Sequence, residues 1–599
     1  MSETLHVSKS GGAGGPSGAN PGRLGVEGCP TTENTSGAGG AVLPKGYYVN
    51  AAGLHYVDNS NPDKDPVTYR LGPFIEVAGR TRDMESKEWG LLLRWRDPDM
   101  VLHEWAMANS LLSDQRGGWV RELAAGGWVP EPGLKQRQLL AAFFAKVAPA
   151  RRVRCVPNVG HHDGCFVLPD EVIGQGPEPV ALQACMAGNP YKQTGTLEQW
   201  QSTVGQWAQG NSRLVFALAL SFSGPLLSMV GMSPGGANFH GTSSTGKTTC
   251  LLAAQSVWGS PRDINTWNAT RNGVEGALEL HNDSFYSLDE LNEATGKTVY
   301  DVVYMLGNGR GRSRANQDGS ARPVRRWCCS IMSTGEQTVD AKLAADGLQG
   351  KAGHGVRLIE IPADAGAGLG AWEELHGHES PRAFSEAVDR ASHEAHGTPG
   401  RAFVRGLIAK RGELALSQDL QAYCTAWTPP GASGQVGRVV RRFALFALAG
   451  ELARALGVVP WQEGEAVRAV KQCLDDWLQA RGGVGNHEAT QAAEMLRAFV
   501  ARFGQSRFQS LDGQSGERIP DRAGFRRVVG DRTQYVFLPQ QLGAVLAGLH
   551  LPAAVKALDS AGYIRRNEKH ATQKISLPEY GRARCYVVEL PEVEGGEAC

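Results

Sequence analysis

With 599 residues, 61 basic and 61 acidic side chains and 41% hydrophobic content, the composition is that of an ordinary globular protein of about four domains. Zero net charge excludes a whole-molecule field that draws polyanions, so any nucleic-acid affinity must come from local basic patches. The eleven cysteines are scattered without a C-x-x-C and read as free thiols of a reducing cytosol. Cys155, His161, His162 and Cys165 have metal-like membership but lack the paired spacing of a tetrahedral site, and the two histidines read as loop residues. The N-terminus has no apolar signal segment. The longest uncharged run, Leu214 to Val230, is broken by Gly224-Pro225, so it reads as a buried helix pair with no membrane span, and the cytoplasm is the expected location.

Residues 1–44 are Gly, Ser, Pro, Thr and Asn with few bulky apolar side chains, which cannot offset the entropy of ordering; they read as a disordered tail. Residues 45–190 favour strands. GYYVNAAGLHYVD reads as a hairpin, FIEVAGRTR and WGLLLRWRD as strands, Leu134 to Val147 as a helix, and Val153 to Leu168 as a second β run. This is a β-rich α+β domain without a catalytic constellation. Leu197 to Val230 reads as two helices leading into the next strand.

That strand, Ala237 to His240, opens the most specific motif. Gly241, four residues, then Gly246-Lys247-Thr248 complete G-x-x-x-x-G-K-[ST] between a strand and a helical run. Backbone N–H groups of Gly241, Thr242, Ser243, Ser244, Thr245, Gly246, Lys247, Thr248 and Thr249 would cradle a polyphosphate at a helix N-terminus. Lys247 would reach the β- and γ-phosphates of ATP, and the Thr248 hydroxyl would hold Mg²⁺. In SFYSLDELNE a strand ends in Asp289-Glu290, 48 positions after Gly241, which is the Walker B arrangement. Asp289 would join the Mg²⁺ shell and Glu290 would orient or deprotonate water.

Gly307 to Glu336 carries six arginines against one acid within residues 310–326. Arg310, Arg312 and Arg314 alternate, so on a strand they share a face; Asp318-Gly319 supplies a turn, and Arg322, Arg325 and Arg326 lie on the returning arm. The pattern reads as a hairpin that tracks phosphates, the alternative being a solvated surface hairpin. Trp327 to Met332 reads as a strand whose polar tip, Ser333-Thr334-Gly335-Glu336, stands where a γ-phosphate sensor would sit. Arg357 opens a further strand-like run, GHGVRLIEIP. A Gly/Ala linker, Ala363 to Gly370, closes this 191–365 core, and helices follow over 366–484. Among them Arg438 to Leu456 carries first-turn arginines, unfavourable to the helix dipole unless they meet an anion. After the glycine break at 482–485, residues 485–599 read as a helix (Glu488 to Phe503), then strand, helix, helix and a basic hairpin, which is winged-helix-like.

The stretches GTSSTGKTT, LDELNEA, GNGRGRSRA, W…STGE, VRLIEIP and GRVVRRFALFALAGELA resemble the bacterial family catalogued as domain of unknown function 927, over most of the chain from Gly46. The chain as a whole reads as a multidomain α/β protein with a P-loop NTPase core, a helical lid and a winged-helix-like C-terminal domain; the resemblance implies that the core is of AAA+ type, similar to minichromosome-maintenance-type helicases, in a protein carried by mobile elements. Carried over by position, it implies catalytic roles for Lys247, Asp289, Glu290 and Thr334, with Ser333 a second candidate for sensor 1. It also implies Arg357 as a finger acting on a neighbour's nucleotide, and Arg438 or Arg441 as sensor 2. Arg310, Arg312, Arg314 and Arg322 would contact DNA.

The resulting expectation is an ATP- and Mg²⁺-dependent hexameric DNA translocase or helicase that replicates a plasmid, phage or integrated element. It would act on single-stranded or forked DNA beside an initiator or primase of the same element, with no membrane association. The rivals are a regulatory or defence ATPase that remodels protein, and a nucleotide-controlled origin-binding assembly protein.

Overall fold

The computed structural model describes residues 41–590 apart from 115–116, 184–188, 316–320, 323, 349, 351–352, 482–486, 513–518, 548, 550 and 568–569. Nearly all of the tail expected over 1–44, the Asp318-Gly319 turn and the 482–485 glycines therefore lie outside the described residues. Two compact units emerge. The first takes in the described residues up to Gly79 with 94–103 and 117–150; the second takes in 80–93, 104–116 and the chain from Arg151 onward.

In the first unit the expected hairpin forms, with Tyr47–Asn50 antiparallel to Gly53–Asp58 and Tyr47 opposite Tyr56; Val67–Gly72 adds a third strand. The Tyr47 hydroxyl donates to the Leu139 carbonyl of the helix Leu134–Lys146 at 2.8 Å, which ties sheet to helix. The strands read from FIEVAGRTR and WGLLLRWRD are Glu76–Arg82 and Gly90–Arg96.

The second unit is organised by five parallel strands in the order Asn265–Thr266, Phe285–Asp289, Ser330–Gly335, Gly235–His240, Leu358–Pro362. Successive side chains on a strand point to opposite faces, and both faces here are covered, so the strands are apolar along most of their length. Phe285, Met332, Phe239 and Ile361 enter one cluster with the helices Ser212–Phe222 and Gly434–Ala455. Tyr286, Leu288 and Ile331 enter the other with Arg271–Glu279 and Gly296–Asn308. Every residue of Ser212–Phe222 is buried, and Gly224–Met229 follows it, so the uncharged run is a core helix pair. Among the described residues no helix is long and apolar enough to cross a membrane.

Local rules set the helix ends. Thr295 accepts from Thr298 N and Gly309, at φ 65°, stops the helix Gly296–Asn308 in the left-handed region. The helix Pro381–Glu394 starts with Ser380 accepting from Ala383 N and with proline in the first turn. Several expected boundaries move. The strand read from Trp327 begins at Ser330, because Trp327 N is committed to Gly309 O at 3.0 Å at the base of the arginine hairpin. Arg357 closes a helical turn, His354–Arg357, and the strand starts at Leu358. The helix expected from Arg438 starts at Gly434, capped by Ser433 on Val436 N, so Arg438 stands beyond the first turn and the dipole argument lapses. His161 and His162 lie in a short strand, Gly160–His162, instead of a loop. The His161 ring bonds Pro225 O at 3.1 Å, and burial lowers its pKa to about 4.

Residues 487–590 carry separate apolar clusters. The helix His487–Phe503 precedes a sheet ordered Phe508–Ser510, Gly524–Val529, Arg532–Phe537, Gly581–Val588, Thr572–Leu577, with helices Pro539–Val545 and Leu551–Ser560 between its third and fourth strands in the chain. The first two strands of this sheet were not expected from the sequence.

Candidate nucleotide site and arginine hairpin

The carboxyl ends of three adjacent strands meet at one edge of the parallel sheet, where ligands bind in open α/β sheets. His240 ends the strand that runs into the 241–246 loop, Asp289 ends the next-but-one, and Thr334 lies near the end of the strand between them. Phe239 is level with Thr334, and Leu288 with Ser333. Asp289 thus comes beside Thr334, whose hydroxyl donates to Asp289 Oδ1. Ser333, one residue earlier, points to the opposite face and accepts from Trp267 Nε1 at 2.8 Å. Of the two candidates, Thr334 faces the site.

The loop between strand and helix uses positive φ at Gly241 (152°), Ser244 (63°) and Gly246 (91°). Gly246 is the tight position, since a Cβ there would come within 2.9 Å of the Trp372 ring. Lys247 begins the helix Lys247–Ser256, and its ammonium donates to Gly241 O at 2.8 Å and Thr242 O at 2.6 Å. Burial lowers the Lys247 pKa, and the charges of Glu336 and Asp289 oppose that shift. Thr248 Oγ1 stands 3.4 Å from Asp289 Oδ1, and Glu290 N donates to the same oxygen at 3.0 Å. Glu290 itself is a non-glycine residue at φ 61° whose carboxyl, hydrogen-bonded to Glu293 and facing its charge, has a raised pKa.

A cleft of ≈ 890 Å³ unites these groups: residues 243–249, Asp289, Glu290, Thr334 and Glu336 line it. Asn292, which also lines it, has a buried Oδ1 without a partner among the described residues. The far wall was not foreseen: Arg382, Ser385 and Glu386 come from the helix Pro381–Glu394, and Ser380 is its N-cap. The segment read as a linker, Ala363 to Gly370, leads into a strap at the loop, Ala371 and Trp372. Ala371 N donates to Thr245 O at 2.8 Å, Trp372 Nε1 donates to Ser385 Oγ at 3.0 Å, and Arg213 holds Pro362 O and Asp364 O at 2.9 and 2.8 Å. A tryptophan two residues after a glycine, followed by Ser380-Pro381, was the sequence signal available.

Arg357, Arg438 and Arg441 do not line this cleft. Arg357 stacks over Tyr304 at 4.9 Å and donates to Asn308 Oδ1 at 3.2 Å; Arg438 and Arg441 are exposed on Gly434–Ala455. The arginine of the described lining is Arg382.

The arginine-rich stretch is an antiparallel hairpin between the helix Gly296–Asn308 and the strand Ser330–Gly335. Arg310 bridges to Arg326, Gly311 N donates to Arg325 O at 2.9 Å, and Arg314 is level with Arg322. Arg310, Arg312 and Arg326 are exposed, whereas Arg325 is held by Glu279 at 3.1 Å. The side chains of Arg314 and Arg322 lie outside the described residues. Among the described residues no group of three or more His, Cys, Asp or Glu is placed to hold a metal ion.

Among solved structures, the chain is similar to one described as SCCmec type IV Cch, an active helicase, at 16% identity and a TM-score of 0.68, covering 91% of this chain and 98% of that one. That likeness establishes a shared fold. A second similarity, to NtrX from Brucella abortus in complex with ATP, has a TM-score of 0.17 at 15% identity over 49% of this chain and 70% of that one, too low to indicate a common fold. No curated protein matches the chain. The family described as Domain of unknown function (DUF927) matches residues 47–326, a stretch that runs through the loop, the Asp289 strand and the hairpin to Arg326. Over those residues the chain is similar to the DUF927 family.

Proposed function

We propose that the chain is an ATP-driven DNA translocase or helicase of a mobile element, working as a hexamer in its replication. The observation that carries the reading is the convergence of Lys247, Thr248, Asp289 and Thr334 in one cleft at the carboxyl edge of a parallel sheet, with a hairpin carrying exposed arginines leading into the amino end of the Thr334 strand.

The residues fit a magnesium-bound nucleoside triphosphate. Successive loop N–H groups at a helix N-terminus suit phosphate oxygens, and a hydroxyl and a carboxylate 3.4 Å apart are hard oxygen donors of the kind Mg²⁺ takes. When bound, MgATP supplies the phosphoanhydride to be hydrolysed. Lys247 would leave its loop carbonyls for the phosphates, Thr334 would hold Asp289 in place, and Glu290 would take the proton of the attacking water. The raised proton affinity that Glu293 gives Glu290 suits a general base. Arg382 is better placed than Arg438 or Arg441 to sense the γ-phosphate from the same chain. Arg357, outside its own cleft, remains the candidate finger toward a neighbour. We also propose the division into an N-terminal domain to 190, an AAA+ core to 365, a helical lid to 484 and a winged-helix-like end.

The test is the rate of ATP hydrolysis with and without single-stranded DNA. Hydrolysis stimulated by the strand is expected; hydrolysis indifferent to DNA would leave an ATPase with some other track.

A further inference from the structure

Several cations of the C-terminal domain are held by carboxylates. Arg522 pairs with Glu579 at 2.9 Å, Arg532 and Arg565 share Glu589 at 2.8 and 2.6 Å, and Arg566 reaches Asp559 at 2.7 Å. Lys574, Arg582 and Arg584 have no carboxylate partner among the described residues, and all three are exposed. They lie on the hairpin formed by Thr572–Leu577 and Gly581–Val588, whose register sets Lys574 opposite Arg584 and Ser576 opposite Arg582. Directly opposed residues, and residues two apart on a strand, share a face, so the three cations project from one side. The other side, Ala583, Cys585 and Val587, packs on Phe525 and Val536.

Like charges directly opposite each other weaken a strand pair, and at exposed positions a neutral polar residue would fill the role without that cost. Strand spacing and rise set the three charges on a grid of roughly 5 by 7 Å. We infer that this hairpin is a second nucleic-acid contact, which binds the phosphate backbone of double-stranded DNA. The proposal rests on the motor reading above. The duplex is the better occupant because single-strand sites stack bases on aromatic rings. The exposed part of this face carries only Lys574, Ser576, Arg582 and Arg584, while Tyr586 is half-buried at its base against the helices. A two-stranded ribbon also matches the width of the major groove.

The full-length chain is titrated by fluorescence anisotropy against a short blunt duplex and an oligo(dT) strand over a series of salt concentrations. The variant Lys574→Ala/Arg582→Ala/Arg584→Ala should lower the salt slope for duplex by roughly 0.9 per lost contact and reduce the ratio of duplex to single-strand affinity. A second variant, Lys574→Glu, places opposite charges across the strands and should raise the melting temperature while weakening duplex binding. An unchanged duplex slope in the triple variant overturns the proposal. So does a Lys574→Glu protein that is stabilised yet binds duplex as before, or an equal loss of duplex and single-strand affinity. Failure of the motor reading shows separately, as a wild-type ATPase that single-stranded DNA does not stimulate.

Discussion

Replacing Arg310 and Arg312 with alanine removes two exposed cations from the hairpin that leads into the Thr334 strand. Arg325 is excluded from the count because Glu279 already neutralises it at 3.1 Å. If both arginines touch phosphates of a single strand, each lost contact lowers the log–log salt slope by roughly 0.7. Together that is about 1.4, so raising salt from about 50 to about 200 mM should cost the wild type about sevenfold more affinity than the variant. The assay is anisotropy of labelled oligo(dT) across that salt range, run beside ATP hydrolysis at saturating strand. The variant should show the shallower slope and lose the stimulation of hydrolysis by DNA, whereas Arg325→Ala should keep the wild-type slope. A double variant with the wild-type slope and undiminished stimulation would mean that the hairpin is solvated surface, and the case for a nucleic-acid motor would go with it.

Lys247→Ala should abolish ATP hydrolysis by removing the loop's cation, whereas Glu290→Gln should still bind a fluorescent ATP analogue but not turn over; normal turnover by the latter would sink its role as base. Arg357→Ala alone should bind ATP yet hydrolyse it poorly, and mixed with Lys247→Ala it should recover activity at interfaces that pair an intact loop with an intact finger. No recovery in oligomers shown to be mixed would refute action in trans. Glu360, half-buried on the strand beside the loop strand, is pushed up to about 8 by desolvation, although Asn238 Nδ2 and Val339 N donate to it at 2.8 Å. Between the unperturbed 4.5 and about 8 the folded state binds more protons than the unfolded one, so stability is present at low pH and is lost as pH rises through about 8. The slope is at most about 1.4 kcal/mol per pH unit. Glu360→Gln cannot ionise and should melt with a flatter pH dependence; a gap from wild type that is constant with pH would show that Glu360 is not the titrating group.

The local sequence determined the parts whose physics is local. G-x-x-x-x-G-K-T states its own turn, because Gly246 needs positive φ and Lys247 follows at a helix start. The apolar run ending at Asp289 is a strand buried on both faces, and alternating arginines on two arms of a turn form a hairpin. Registers and crossings were decided by the tertiary structure. Whether Ser333 or Thr334 faces the site depends on which neighbour each meets across the sheet, and Trp267 takes the first while Asp289 takes the second. The strap of Ala371 and Trp372, and Arg382 in the cleft wall, depend on contacts to Thr245 and to a helix more than a hundred residues beyond the loop, which no local periodicity encodes. Arg357, Arg438 and Arg441 were placed by resemblance, and their positions outside their own cleft follow from how separate helices pack around the sheet. Composition and spacing fix what a segment can do; long-range packing fixes which of its side chains is turned toward the work.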